Sequence, residues 1–307
     1  MAESISRQAV LNGWPLFWLL SVPMLGAMSL ETLSADLGSA EGVSHMIAYS
    51  VRWSVPFIYA VVAASALPKL FPGEGTRWLL RNRRYVGLVF ALAMAWQGAF
   101  IFILTQLHRG HYYADVYLLR NELEGSSGYI LLATMVFTSF SLGRRALSTA
   151  QWKVLHRSGV YFLWAYAFSV YWWNVYYYED PEFIDHVFYW AGFLVFAARI
   201  AAWGKTRSRR TTAVEAGPSR MLQVLGLGLI VLGIVASATG SLWYETVSGQ
   251  LLSPLWSQQL EQWLPYWPFE PFLSLLSIGI GVWLLTASPK AAPDPVAQGR
   301  DRVSATS

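Results

Sequence analysis

Arg81-Asn82-Arg83-Arg84 runs directly into Tyr85-Val86-Gly87-Leu88-Val89-Phe90-Ala91-Leu92-Ala93-Met94-Ala95-Trp96, and no charged residue interrupts the stretch before Gln106. A helix over 85–106 rises about 33 Å, enough to cross the roughly 30 Å of hydrocarbon in a bilayer. Arginines stand at its head, and acids follow its far end at Asp115, Glu122 and Glu124. The same polarity recurs along the chain. Apolar segments fall at about 14–30, 47–67, 85–106, 128–142, 156–175, 184–203, 221–242 and 271–287, and the stretches between them alternate in charge. The N-terminus, 68–84, 143–155, 204–220 and the C-terminal tail hold Arg and Lys. The stretches 31–46, 107–127, 176–183 and 243–270 hold Asp and Glu. With Arg157 and Arg199 assigned to their nearest basic ends, 19 of the 22 Lys and Arg lie on one side, with only 5 of the 18 Asp and Glu. The positive-inside rule places that side, and both termini, in the cytoplasm.

Composition supports a membrane class. Hydrophobic residues make up 55% of the 307 and charged residues 13%, against about 25% charged in soluble domains. The eight segments leave no stretch long enough for an independent soluble domain, so a nucleotide- or flavin-binding domain has to come from another chain. The basic balance does not point to nucleic acid, because the positive charge is confined to short juxtamembrane stretches that set topology and meet anionic lipid. The chain has no cysteine, which removes disulfides, iron–sulfur clusters and thiolate metal sites. The segment from Trp14 to Leu30 has the length of a signal peptide. Trp14 at its start and the acids after it favour an uncleaved span.

Helices are the expected spans, because backbone groups in lipid must be satisfied within the segment. Trp172, Trp173, Tyr176, Tyr177, Tyr178, Trp263, Tyr266 and Trp267 crowd the expected interfaces and are expected to form an aromatic belt. A basic, turn-rich linker at 204–220 separates six spans (1–203) from two further spans (221–288). The Trp-rich outer stretch 243–270 is expected to carry a short interfacial helix from about Leu255 to Trp263. The tail 289–307 reads as disordered.

Three stretches give a resemblance: Arg81 to Leu88; Thr138-Ser139-Phe140; and Trp152-Lys153-Val154-Leu155-His156-Arg157-Ser158-Gly159-Val160-Tyr161-Phe162-Leu163-Trp164. In order and spacing they resemble the ferric-reductase-like transmembrane family, which includes haem-b membrane subunits, most strongly over 47–203. The resemblance implies a six-helix core, haem b, and electron transfer across the membrane as the membrane subunit of an oxidoreductase. The family's mid-membrane histidine ligands correspond here to Gln97 and Ser169, and neither replaces an imidazole as a haem ligand. Met94 occupies a further position where relatives carry histidine. Gln97 and Ser169 are expected instead to form an interhelical hydrogen bond, with a polar pocket for a quinone head group as the alternative.

His156, with Arg83, Arg84 and Arg157, sits at the cytoplasmic head of its span. On one reading these four are a contact for a haem propionate, a flavin or a quinone. Alternatively, His156 caps a helix or bonds a loop carbonyl while the arginines only set topology. The other histidines, His45, His108, His111 and His186, fall near the outer face with Asp115, Glu179, Asp180 and Asp185 close in sequence, and could bind a metal through imidazole and carboxylate. Arg52, on the acidic side, is expected to snorkel or to pair with Glu31, Asp36 or Glu41.

The expected protein is therefore an all-α, eight-span protein of a bacterial-type inner membrane, a ferric-reductase-like core of six helices followed by two more. Its expected partners are the lipid bilayer and a redox or periplasmic subunit, with no nucleic acid. The alternatives to electron transfer are a haem-free scaffold or assembly subunit, and a quinone- or lipid-binding protein.

Overall fold

A computed structural model describes residues 8–178, 180–211 and 218–287. The tail 289–307, the middle of the linker at 212–217 and Glu179 lie outside the described residues. All regular structure among the described residues is helical. The main helices are α1 (Gly13–Ser34), α2 (Ala40–Ala63), α3 (Glu74–Leu107), α4 (Leu119–Thr138), α5 (Thr149–Tyr176), α6 (Phe183–Thr211), α7 (Arg220–Ala238), α8 (Gly240–Leu252), α9 (Leu255–Trp263) and α10 (Glu270–Leu285). Of these, α1, α2, α3, α6 and α7 are long and apolar enough to cross a membrane. Helices α4 and α5 are long enough but not uniformly apolar, and α10 has 16 residues. The outward side chains fit a lipid environment. On α7, Met221, Val224, Leu227 and Val231 are 56–72% exposed, an apolar stripe that water would not tolerate.

The helix boundaries depart from the apolar segments in both directions. Helix α4 begins at Leu119 and ends at Thr138, whereas the apolar segment runs 128–142. Its first turns carry polar side chains that find partners: Arg120 lies 3.6 Å from Glu261 of α9, and the Tyr112 hydroxyl donates to Glu122. Beyond Thr138 the chain turns back tightly. A Cβ at Gly143 would lie 2.4 Å from the Phe137 carbonyl oxygen, so only glycine fits there. Helix α6 runs on to Thr211 and takes up the first half of the linker. The seventh segment, expected to end at 242, breaks at Thr239 and resumes as α8. A short helix forms over Leu255–Trp263, as expected.

The core lies between α2, α4, α5 and α6. Trp164, Phe168 and Tyr189 are fully or almost fully buried, and with Phe196 they form a ladder of rings. Trp164 stacks on Phe196 at 4.1 Å and on Phe168 at 5.0 Å, and Phe168 stacks on Tyr189 at 5.5 Å. Such stacking adds to the area each ring buries. The Trp164 indole donates to the Gly192 carbonyl (3.2 Å), locking α5 to α6. Trp172, expected in an interfacial belt, is 1% exposed and belongs to this core. Tyr177, Tyr178 and Trp263 do face outward.

Two polar clamps fix the remaining helices. Asn82, on α3, is buried. Its carbonyl accepts from the Gly13 N–H (3.0 Å), and its amide donates to the Asn12 side chain (3.0 Å) and the Trp78 carbonyl (3.1 Å). This sets the start of α1, where Gly13 takes φ +68°. The pair α7 and α10 packs almost backbone to backbone at Gly226, Gly233 and Gly281, as small residues allow in membranes. It docks on the core where the Tyr176 and Tyr189 hydroxyls donate to the Ser237 carbonyl (2.5 and 2.6 Å).

Candidate functional site

Helices α3 and α4 meet at mid-height, where the Tyr129 hydroxyl donates to the Gln97 side chain (2.9 Å) and the Tyr129 ring packs on Gly98. Toward the basic end they part. The space between them, closed by α2, α5 and α6, is a cavity of about 1010 Å³. Its floor is apolar: Ile58, Phe90, Leu132 and Leu163, with Leu88, Met135, Val136 and Val160 on the walls. From Lys153 at the rim to Leu163 at the floor is ten residues of α5, about 15 Å. The rim carries Lys69, Arg81, Arg83, Arg84, Arg144, Lys153, Arg157 and Arg199, together with His156. Among the described residues no Asp or Glu lines the cavity.

The stretches Arg81–Leu88, Thr138–Phe140 and Trp152–Trp164 all converge here. His156 Nε2 lies 3.0 Å from the Thr138 hydroxyl, and the Trp152 indole N–H donates to the Thr138 carbonyl (3.2 Å). The His156 ring packs on Trp152 at 4.3 Å. His156 thus bonds a side-chain hydroxyl on a neighbouring helix rather than a loop carbonyl. The Arg84 guanidinium lies over the Phe140 ring (5.3 Å) and the Arg144 guanidinium over the Trp152 ring (5.4 Å), favourable cation–π positions. Arg144 also donates to the Leu147 carbonyl (2.7 Å) and the Thr149 hydroxyl (3.1 Å).

Arg199 is the deepest of the cations. It donates to the Val62 carbonyl (3.2 Å), Ser65 Oγ and the Tyr161 hydroxyl, and lies 4.9 Å from the Tyr161 ring centre. Every acceptor is neutral. Among the described residues, Arg83, Arg84, Arg144, Arg157 and Arg199 make no ion pair with a carboxylate; the ion pairs there involve Arg52, Arg120, His45 and His111. The cavity therefore holds strong positive charge over an apolar floor.

The mid-depth positions are built differently. Gln97 (3% exposed) and Ser169 (5% exposed) do not bond each other. The Gln97 partner is Tyr129, and the Ser169 hydroxyl donates to the Tyr166 carbonyl one turn back on its own helix (3.0 Å). Met94 is buried in the same core. A haem between α3 and α5 at this depth does not fit these residues. No imidazole is present there, the two polar groups are already engaged, and the surroundings are packed side chains.

Three of the four outer histidines have separate partners. His45 pairs with Glu31 (2.8 Å), His111 with Asp115 (2.9 Å), and His108 approaches the Leu37 carbonyl (3.4 Å). Among the described residues no three His, Asp or Glu side chains gather as metal ligands, so His45, His108, His111 and His186 are not brought into one site. Arg52 bonds Glu182 (2.9 Å), 130 residues away, rather than the nearby acids Glu31, Asp36 or Glu41. Sequence reasoning missed Tyr129, Tyr161, Ser65 and the part played by Arg199. Arg199 alone carried a signal, as the one Lys or Arg within the apolar run 184–203.

The fold and its apolar surfaces define an all-helical protein with several helices able to span a bilayer. The chain matches no family model, no curated protein and no solved structure.

Proposed function

We propose that the chain is an eight-span protein of the inner membrane, N- and C-termini in the cytoplasm, that binds an amphiphile with an anionic head and an apolar body. The observation that carries this reading is the cavity of about 1010 Å³ with an apolar floor, a rim of eight Lys and Arg, and, among the described residues, no carboxylate in its lining. Positive charge in a juxtamembrane loop needs only water. Here, cations from five separate helices and loops converge on one half-open space, where they repel one another unless an anion joins them. The lateral position between α3 and α4 suits a ligand that arrives from the bilayer. Arg199, held by neutral acceptors about one turn inside its apolar run, has the placement of a charge kept within a membrane for function.

A redox reading has one observation in its favour. The three stretches that resemble ferric-reductase-like proteins all open on this cavity, so a quinone seated there would keep the electron-transfer function with a different carrier. The test is solvent extraction and mass spectrometry of the detergent-purified protein, beside its visible spectrum oxidised and dithionite-reduced. An anionic amphiphile that co-extracts, and is lost on Arg83→Gln/Arg157→Gln substitution, supports the proposal. A quinone lost in the same way supports the redox reading. A sharp haem or flavin spectrum unaffected by that substitution, or no ligand in any preparation, overturns the cavity as the functional site.

A further inference from the structure

The head group can be narrowed, on the premise that the cavity binds an anionic amphiphile as proposed above. A fatty carboxylate or a phosphodiester lipid brings one negative charge. The rim offers many more positive charges than that, and among the described residues no Asp or Glu lines the cavity. A terminal phosphate carries close to two negative charges near neutral pH and three oxygens, each able to accept from more than one donor. Guanidinium groups match such oxygens in paired, charge-assisted hydrogen bonds.

The donors available fit this group. Arg199 has five N–H donors. Three are used by the Val62 carbonyl, Ser65 and Tyr161. The remaining two have no partner among the described residues, although the guanidinium is held on three sides and so is oriented before a ligand arrives. Arg83 and Arg157 have no hydrogen-bond partner among the described residues and stand on α3 and α5 at the same rim. Three arginines from three helices thus face one space with donors to spare, and below them lies an apolar floor that inorganic phosphate would not use.

We propose that the cavity recognises a terminal phosphate, as a monoester or diphosphate, on a lipid tail, with Arg199 as the deep anchor and Arg83 and Arg157 as rim contacts. The test uses the full chain in phosphatidylcholine nanodiscs. Affinities are measured for farnesyl phosphate, farnesol, a short-chain phosphatidylglycerol and inorganic phosphate. Farnesyl phosphate is expected to bind at least about tenfold more tightly than any of the others. Arg199→Gln is expected to weaken it by about tenfold or more, the scale of a lost charge-assisted hydrogen bond, while weak farnesol binding is unchanged. Arg83→Gln/Arg157→Gln, which removes no bond made within the described protein, repeats the measurement should Arg199→Gln fail to fold. Equal affinity for phosphatidylglycerol and farnesyl phosphate, both lost in the rim variant, overturns the terminal phosphate and leaves the anionic-amphiphile reading standing. Inorganic phosphate binding as tightly as farnesyl phosphate overturns the lipid tail. Binding of no probe, or binding indifferent to the rim variant, overturns both readings.

Discussion

At the scale of single residues, the polar groups inside this bundle divide into clamps and a site. Asn82 is a clamp, tying the start of α1 to α3 through both ends of its amide. Asn82→Leu leaves the Gly13 N–H without its acceptor and is expected to cost about 2 kcal/mol. Thermal unfolding in detergent reads this loss, and ligand binding in the cavity should be unchanged in the protein that remains folded. Gln97→Leu is expected to cost less than about 1 kcal/mol, the range found for hydrogen bonds between membrane helices. The Tyr129 hydroxyl retains a second acceptor, the Met94 carbonyl at 3.2 Å. A Gln97→Leu protein that lost a bound chromophore or quinone would restore the mid-depth site. Arg52→Gln should leave stability nearly unchanged, because both members of the Arg52–Glu182 pair are substantially exposed. The sequence marked Gln97 and Ser169 as unusual because they are polar within apolar runs. It could not show that Tyr129, one polar ring among many aromatics, would satisfy Gln97.

At the scale of helices, the apolar runs located the elements, and hydrogen bonds set their ends. Helix α4 starts nine residues before its apolar segment because Arg120 and Glu122 find partners across the fold. Hydropathy registers those residues only as polar. The packing of α7 on α10 rests on glycine. A Cβ at Gly233 would lie 2.5 Å from the Ser274 carbonyl oxygen, a backbone atom that cannot move aside. Gly233→Ala is therefore expected to destabilise the pair by about 2 kcal/mol. Gly228→Ala, with nothing within 4 Å of the new methyl group, should be neutral or slightly stabilising. Comparing the two unfolding midpoints in one detergent separates packing from helix propensity. Equal midpoints would mean that α7 and α10 do not pack through this face.

At the scale of the whole molecule, the charge partition makes a topological prediction. The chain has no cysteine, so single cysteines report sidedness without background. Ser219→Cys, before α7, is expected to label only from the cytoplasmic side. Ser253→Cys, between α8 and α9, is expected to label only from the opposite side. Labelling of both from one side would show that α7 does not cross, and the eight-span reading would fall.

The sequence by itself determined the all-helical class, the positions of the apolar segments and the separation of basic from acidic ends. These are properties of local composition, since bilayer thickness and charge act on each segment in turn. It also brought Arg83, Arg84, His156 and Arg157 together as candidates, because motif and charge coincided there. Only the tertiary structure decided that these residues share one cavity with Lys69, Arg144 and Arg199, and that among the described residues no Asp or Glu lines it. Only it placed Glu182 beside Arg52 and put His45 and His111 in separate pairs with Glu31 and Asp115. A cavity is a gap between helices distant in sequence, and its existence depends on where α3 and α4 touch and where they part. That depends on the fit of Tyr129 against Gln97 and Gly98, a matter of packed volumes in three dimensions that no periodicity along the chain encodes.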